Sequence, residues 1–185
     1  MKFETSSLKW ALTYISRGWP VLPVQSAQNR EHCSGSAFRN QAAWPTQSTT
    51  DPATVVKWLL GAPFANVALL TGKASGIIAI RSTGDEGMGT LERWMDKYDW
   101  FPESSSIEQG ATRTILYRAS DLRVVSELQL GPGVVVIGDG GYILLPPSRD
   151  ENGDCCTWDD PDDAIVEPPV WMAKLISGLF QAVAA

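Results

Sequence analysis

Histidine is nearly missing from this 185-residue chain, and His32 is the sole one. That excludes any mechanism needing two imidazoles. It also leaves a zinc site short of donors, since zinc takes four ligands. Cysteine is scarce: there are three, and Cys155 and Cys156 are adjacent. An odd set with a neighbouring pair is no disulfide framework and suits a reducing compartment, so a cytoplasmic location is expected. No apolar run approaches the roughly 20 residues a membrane helix needs, so no membrane partner is expected. The opening MKFETSSLKWALTYISRGW has no unbroken apolar stretch, and a signal peptide is not expected. Charged residues are only 19% of the chain, too few for a disordered acidic protein. The net charge of -6 and the pI near 4.7 speak against a broad non-specific grip on nucleic acid, which needs clustered Lys and Arg. A local basic patch is compatible with that balance.

What is present can fill a core: 44% of residues are hydrophobic, with eight tryptophans. Ser7 is a candidate N-cap for a first helix with Leu8, Ala11, Leu12 and Ile15 on one face. Gly18 and Pro20 stop it, and Val21–Val24 reads as a short buried strand. Residues 25–50 are polar and long for a loop in a compact domain, which marks a functional segment or the remnant of one. Asp51-Pro52 starts a second helix to about Leu60, with Val55, Val56 and Leu59 inward and Trp58 on the flank. Residues 66–71 and 76–80 read as two strands joined by a tight turn. Thr90 caps a third helix to about Tyr98. Residues 113–118, 134–137 and 142–145 read as strands, the last stopped by Pro146-Pro147. A final helix covers about 170–183, with Leu175, Leu179 and Val183 in one stripe. Helices and strands mix without strict alternation, which favours α+β or irregular α/β over a doubly wound sheet. No repeat or linker is visible, so a single domain over 1–185 is expected.

Several local features have two readings. His32-Cys33 is compatible with a zinc relic, but no second pair follows at ligand spacing. Cys155-Cys156 reads as a reduced, partly buried strand pair. Gly138–Gly141 precedes a strand rather than a helix, so it reads as a hairpin turn and not a nucleotide fingerprint. Residues 150–163 carry Asp154, Asp159, Asp160, Asp162 and Asp163, either as a hydrated loop or as a surface that repels nucleic acid or docks a basic partner. Trp10, Trp19, Trp58 and Trp94 fit the core or its edge. Trp44, near Arg39, and Trp100 fall in loops and are candidates for base stacking or a protein contact.

Separated motifs then agree with one family. Arg17-Gly18-Trp19-Pro20-Val21-Leu22-Pro23-Val24 is followed by Thr50-Asp51, by Trp58 at a helix end, and by Pro63, Ala65-Asn66-Val67, Thr71-Gly72 and Ser75-Gly76. Farther on come Gly138-Asp139-Gly140-Gly141-Tyr142, Pro146-Pro147-Ser148, Trp158, Pro169 and Trp171. In order and spacing, from about Leu8 to Leu175, the chain resembles the N-terminal primase-polymerase domain of bifunctional DNA primase/polymerases, in the archaeo-eukaryotic primase superfamily. The resemblance implies a mixed α/β (α+β) domain with a central, mostly antiparallel sheet flanked by helices.

It also implies a site that this chain alters. Active members of the family carry Asp-x-Asp or Asp-x-Glu where this chain has Arg81 and Thr83, a third Asp where it has Val135, and a triphosphate-contacting His where it has Thr114. The Gly-Gly pair before that His is Ala111-Thr112. Nucleotidyl transfer of this kind uses two divalent ions held by carboxylates. At ~4 Å a like-charge contact costs about 1 kcal/mol even in water, so a cation at position 81 opposes those ions. The resemblance thus implies a catalytically degenerate member with no cofactor. Asp85, Glu86 and Asp139 lie near the same motifs and are candidates for a rebuilt Mg²⁺ or Mn²⁺ site, or are solvated turn carboxylates. Arg81 either gathers with Lys73, Arg113 and Arg118 as a nucleotide or anion site, or pairs with Asp85 or Glu86. Three functions stay open: an inactive module binding nucleic acid, nucleotide or a partner such as a replication factor; a protein-interaction module with no nucleic-acid role; and an active primase/polymerase with a rearranged site.

Overall fold

The computed structural model describes residues 4–24, 48–62, 65–98, 102–119, 122, 124, 126–150 and 152–184. His32, Cys33, Arg39, Trp44, Pro63 and Trp100 lie outside the described residues. The contacts divide the chain into two units: residues 1–70 with 142–157, and residues 71–141 with 158–185. Among the described residues there are four helices and nine strands in two antiparallel sheets. The expected α+β class is what the chain adopts, with its strands shared between two sheets.

The first unit holds α1 (Glu4–Ser16), β1 (Val21–Val24), α2 (Pro52–Gly61), β2 (Asn66–Leu70) and β8 (Tyr142–Leu145). Helix α1 begins before Ser7, which lies inside it instead of capping it. It stops as expected, with the Gly18 N–H bonded to the Ile15 carbonyl. Tyr14 is fully buried, stacks between Trp10 and Trp19, and donates its hydroxyl to the Pro146 carbonyl at 2.6 Å. The sheet order is β1-β2-β8, with Val21 opposite Leu69 and Leu69 opposite Ile143. Two residues of the family pattern pin this sheet. Asn66 exchanges hydrogen bonds with the Arg149 backbone, and the Ser148 hydroxyl bonds both the N–H and the carbonyl of Val67.

Helix α2 is started by the expected cap. The Asp51 carboxylate accepts from the Thr54 N–H at 2.8 Å and from its hydroxyl at 2.5 Å. The hydroxyl bond and then the backbone bond hold the Asp51 carboxyl below its ordinary value of 3.8. A carboxyl lowered in the folded state adds stability above its unfolded pKa, and that stability is lost as pH falls through the folded value. Asp51→Ala should therefore lower the melting temperature at pH 7, and the gap to wild type should close in melts taken below pH 3.8.

The second unit holds β3 (Ile77–Thr83), α3 (Gly84–Tyr98), β4 (Ser106–Gln109), β5 (Thr112–Arg118), β6 (Leu128–Gly131), β7 (Val134–Ile137), Trp158 of the short β9 (Thr157–Trp158) and α4 (Val170–Ala184). Its sheet runs β6-β7-β3-β5-β4-β9. Side chains alternate across a strand, so each strand divides between two faces. One face carries Ile78, Ile80, Ile115, Tyr117, Val134 and Val136, packed with Leu91 of α3 and Met172 and Ile176 of α4. The buried stripe of α4 thus runs through 172 and 176, with Leu175 and Leu179 only half-buried at its side. Trp171 ties the two helices, stacking on Tyr98 at 4.2 Å and meeting Trp94 edge-on at 5.6 Å.

Two local expectations change. β2 and β3 do not form a hairpin, because they belong to different sheets, and the same holds for β7 and β8. The segments between them, 71–76 and 138–141, instead bind each other within the second unit. The Thr71 hydroxyl donates to the Gly138 carbonyl at 2.7 Å, and the Lys73 N–H donates to the Asp139 carboxylate at 2.6 Å. Gly72, at φ 78°, leaves no room for a side chain, since a Cβ there would lie 2.5 Å from the Asp139 Cα. No described helix is long and apolar enough to cross a membrane.

Candidate functional site

The other face of the six-stranded sheet carries Arg81, Thr83, Thr114 and Val135. Arg81 on β3 lies directly opposite Thr114 of β5 on one side and Val135 of β7 on the other. The row continues to Ile107 on β4 and Gln129 on β6. Thr83, two residues on and so on the same face, lies opposite Thr112. Directly paired Cα atoms in such sheets are about 4.5–5.5 Å apart, so positions 81, 114 and 135 form one compact constellation. Arg81 and Val135 are half-buried, Thr114 is buried and Thr83 is exposed. Of the flanking residues, Thr112 was named from the sequence only as the counterpart of a glycine, and Gln129 was not singled out, because only the register brings it here.

β3 passes straight into α3, and the junction is held from both sides. The Thr83 N–H donates to the Gly133 carbonyl at 2.9 Å, and the Gly84 N–H donates to the Ala111 carbonyl at 2.8 Å. The helix begins at Gly84, six residues before Thr90. Thr90 is therefore no cap: it is buried within the helix and donates its hydroxyl to the Pro132 carbonyl at 2.8 Å. Asp85 and Glu86 fall in the first turn of α3, where the helix dipole favours carboxylates. Both are exposed, and Arg81 makes no ion pair with either, which removes the local-pair reading of Arg81.

The candidate cations do not gather around Arg81. Lys73 sits at the far end of β3, beside Ile77, and pairs with Asp139 at 3.8 Å. Arg118 shares the face of Arg81 but lies four residues along β5 from Thr114, about 13 Å away. Its Nε donates to the Ile165 carbonyl at 3.0 Å. Arg113 projects to the opposite face, opposite Ser82, and pairs with Asp159 at 3.2 Å.

The three candidates for a rebuilt metal site do not meet either. Asp139 is engaged by the Lys73 turn at one end of β3, while Asp85 and Glu86 follow its other end, roughly 20 Å away across seven residues. Among the described residues no group of three His, Cys, Asp or Glu side chains is placed to hold a metal ion. A divalent ion wants oxygen ligands, mostly carboxylates, and the constellation offers a guanidinium, two hydroxyls and an isopropyl group. The residues present do not fit the metal pair that the resemblance implies for an active site.

The model of the family described as bifunctional DNA primase/polymerase, N-terminal (Prim-Pol), matches residues 11–171. The chain belongs to the Prim-Pol family. No curated protein matches it. The match spans residues of both units. Membership carries a primase/polymerase-like fold and a context of nucleic-acid handling in DNA replication.

Proposed function

We propose that this chain is a catalytically degenerate Prim-Pol domain whose inherited face binds a phosphate-bearing ligand, a nucleotide or a nucleic acid, without transferring a nucleotide. One observation carries the reading: Arg81 lies between Thr114 and Val135 in the strand register, with Thr83 two residues on. The resemblance implies that active members of the family carry carboxylates at the counterparts of 81, 83 and 135 and a histidine at that of 114. Exchanging that set for a cation and hydroxyls turns a cation-binding face into one suited to an anion. A guanidinium presents a planar fork of donors that matches phosphate oxygens. Among the described residues Arg81 makes no ion pair, so no described carboxylate neutralises its charge.

The test has two arms. Template-directed primer extension with Mg²⁺ or Mn²⁺ should give no product. Fluorescent nucleotide and single-stranded DNA should bind with an affinity that falls as salt rises. Arg81→Ala should weaken binding about tenfold or more, the scale of a charged hydrogen bond lost. Extension abolished by Asp85→Ala or Asp139→Ala would overturn the inactive reading. Binding unchanged by Arg81→Ala would overturn the anion reading.

A further inference from the structure

A concavity lies wholly within the second unit, on the sheet face opposite Arg81. Its volume is about 640 Å³, within the range of ligand-binding clefts. The floor is apolar: Met88, Leu91 and Met95 of α3, with Pro102 and Ile115 facing them. The spacing 88, 91, 95 places the three helix residues on one stripe. Met95 is 43% exposed. Methionine is flexible and polarisable, which suits surfaces that accept apolar partners.

The rim is acidic. Glu92, Glu103, Asp159, Asp160 and Asp163 surround the opening, and Arg113 is the one cation among the lining residues. Arg113 is already committed to Asp159, which also accepts from the Ser106 hydroxyl at 3.3 Å. The remaining carboxylates crowd one another. Desolvation first, and then repulsion from Asp160, Glu103 and Asp159, holds the Asp163 carboxyl above the usual range. Such a field repels phosphate, so this face does not suit nucleic acid. Its one cation is paired with Asp159 and outnumbered by carboxylates, and it has apolar surface to cover. The complementary occupant carries several cations beside an apolar anchor.

We infer that this cavity is a docking site for a basic, amphipathic helical segment of a partner protein, its apolar residues against Met88 and Met95, which lie over the buried Leu91, and its Lys or Arg side chains against the carboxylate rim. A helix laid into an apolar groove presents anchors at i, i+3 or i+4 and i+7, the same spacing as the α3 stripe it would meet. A small polyamine would satisfy the rim but leave the floor uncovered. The inference rests on different residues from the Arg81 reading and stands or falls separately.

The test uses the full chain with Met methyl groups labelled for NMR. The probe is a 15-residue helical peptide with leucines at that spacing and lysines beside them. The comparison probes are its Lys→Glu counterpart, its Leu→Ser counterpart and spermine. The expected result is binding of the Lys-Leu peptide that shifts the Met88 and Met95 methyl signals and leaves the core Met172 signal in place. The Lys→Glu and Leu→Ser peptides should bind far more weakly. Glu92→Lys with Asp160→Lys should lower the affinity about tenfold or more, and Met95→Glu should also weaken it. All three positions are exposed, so these variants should melt like wild type. Asp96→Lys with Glu127→Lys makes the same change in net charge on exposed residues outside the cavity and should have little effect. Equal binding by spermine or by the Leu→Ser peptide would overturn the inference. So would unmoved Met88 and Met95 signals, or equal losses in the two charge-reversed pairs.

Discussion

Replacing Arg81, Thr83 and Val135 together by aspartate should give this protein a saturable Mn²⁺ site, on the order of the micromolar-to-millimolar range of protein carboxylate sites. Positions 81 and 135 are direct cross-strand partners, and 83 is two residues along the same face. The three new carboxylates would thus project from Cα atoms about 5–8 Å apart, within reach of a shared ion. The local charge changes from one cation to three anions. Without metal, the crowded carboxylates should lower the melting temperature. With Mn²⁺ at 100 times its dissociation constant, about 2.7 kcal/mol should return. Val135→Asp alone should bind no metal, because its carboxylate would pair with Arg81 across the strands. Electron paramagnetic resonance of free Mn²⁺ measures each case. Wild type binding Mn²⁺ as tightly as the triple variant would contradict the claim that these substitutions removed the site.

What could be read from the sequence was mostly what is local. The end of α1 at Gly18 and the Asp51 cap of α2 depend on residues within a few positions, and both are found. The start of α3 was not legible. Gly84, Gly87 and Gly89 are poor helix formers, so propensity moves the start to Thr90. Packing overrides that preference, because the first turn of α3 lies against the turn between β6 and β7. Nor was the division into two sheets legible. The segments 71–76 and 138–141 have the glycine content of hairpin turns, yet local turn chemistry cannot say which strand pairs with which. The partner strands β5 and β1 lie tens of residues away in the chain.

The two surfaces differ in the same way. Arg81, Thr114 and Val135 were singled out together only through resemblance to a family, since nothing in their types or spacing marks a group. The register explains why they belong together: one row of a sheet crosses three strands distant in sequence. The acidic cavity had a partial signal in the aspartates between 150 and 163. Its other half, Met88, Met95, Glu92 and Glu103, reads as an ordinary amphipathic helix and a loop until the fold sets them facing Asp159 and Asp160.

Gly133→Ala should be the most destabilising of the small substitutions near the Arg81 face, at about 3 kcal/mol, or roughly 10 °C in the melting temperature of a chain this size. Two costs add. The residue has φ 65°, a conformation alanine resists. A Cβ there would also lie 2.7 Å from the Gly87 Cα, and the obstacle is backbone of α3, not a side chain that can swing away. The approach is mutual, for a Cβ on Gly87 would lie 2.5 Å from the Gly133 carbonyl oxygen. That same oxygen accepts from the Thr83 N–H, so any shift that relieves the overlap also loosens the strand end beside Arg81. Gly87→Ala should therefore cost a similar amount. The double variant should cost less than the two losses added, because one displacement relieves both overlaps. Gly89→Ala is the control: nothing lies within 4 Å of its Cβ, and it should raise the melting temperature by stiffening the unfolded chain. Thermal melts of the four variants decide the matter. Strict additivity of Gly87→Ala and Gly133→Ala would mean the two glycines do not share a contact, and the helix start would need another explanation.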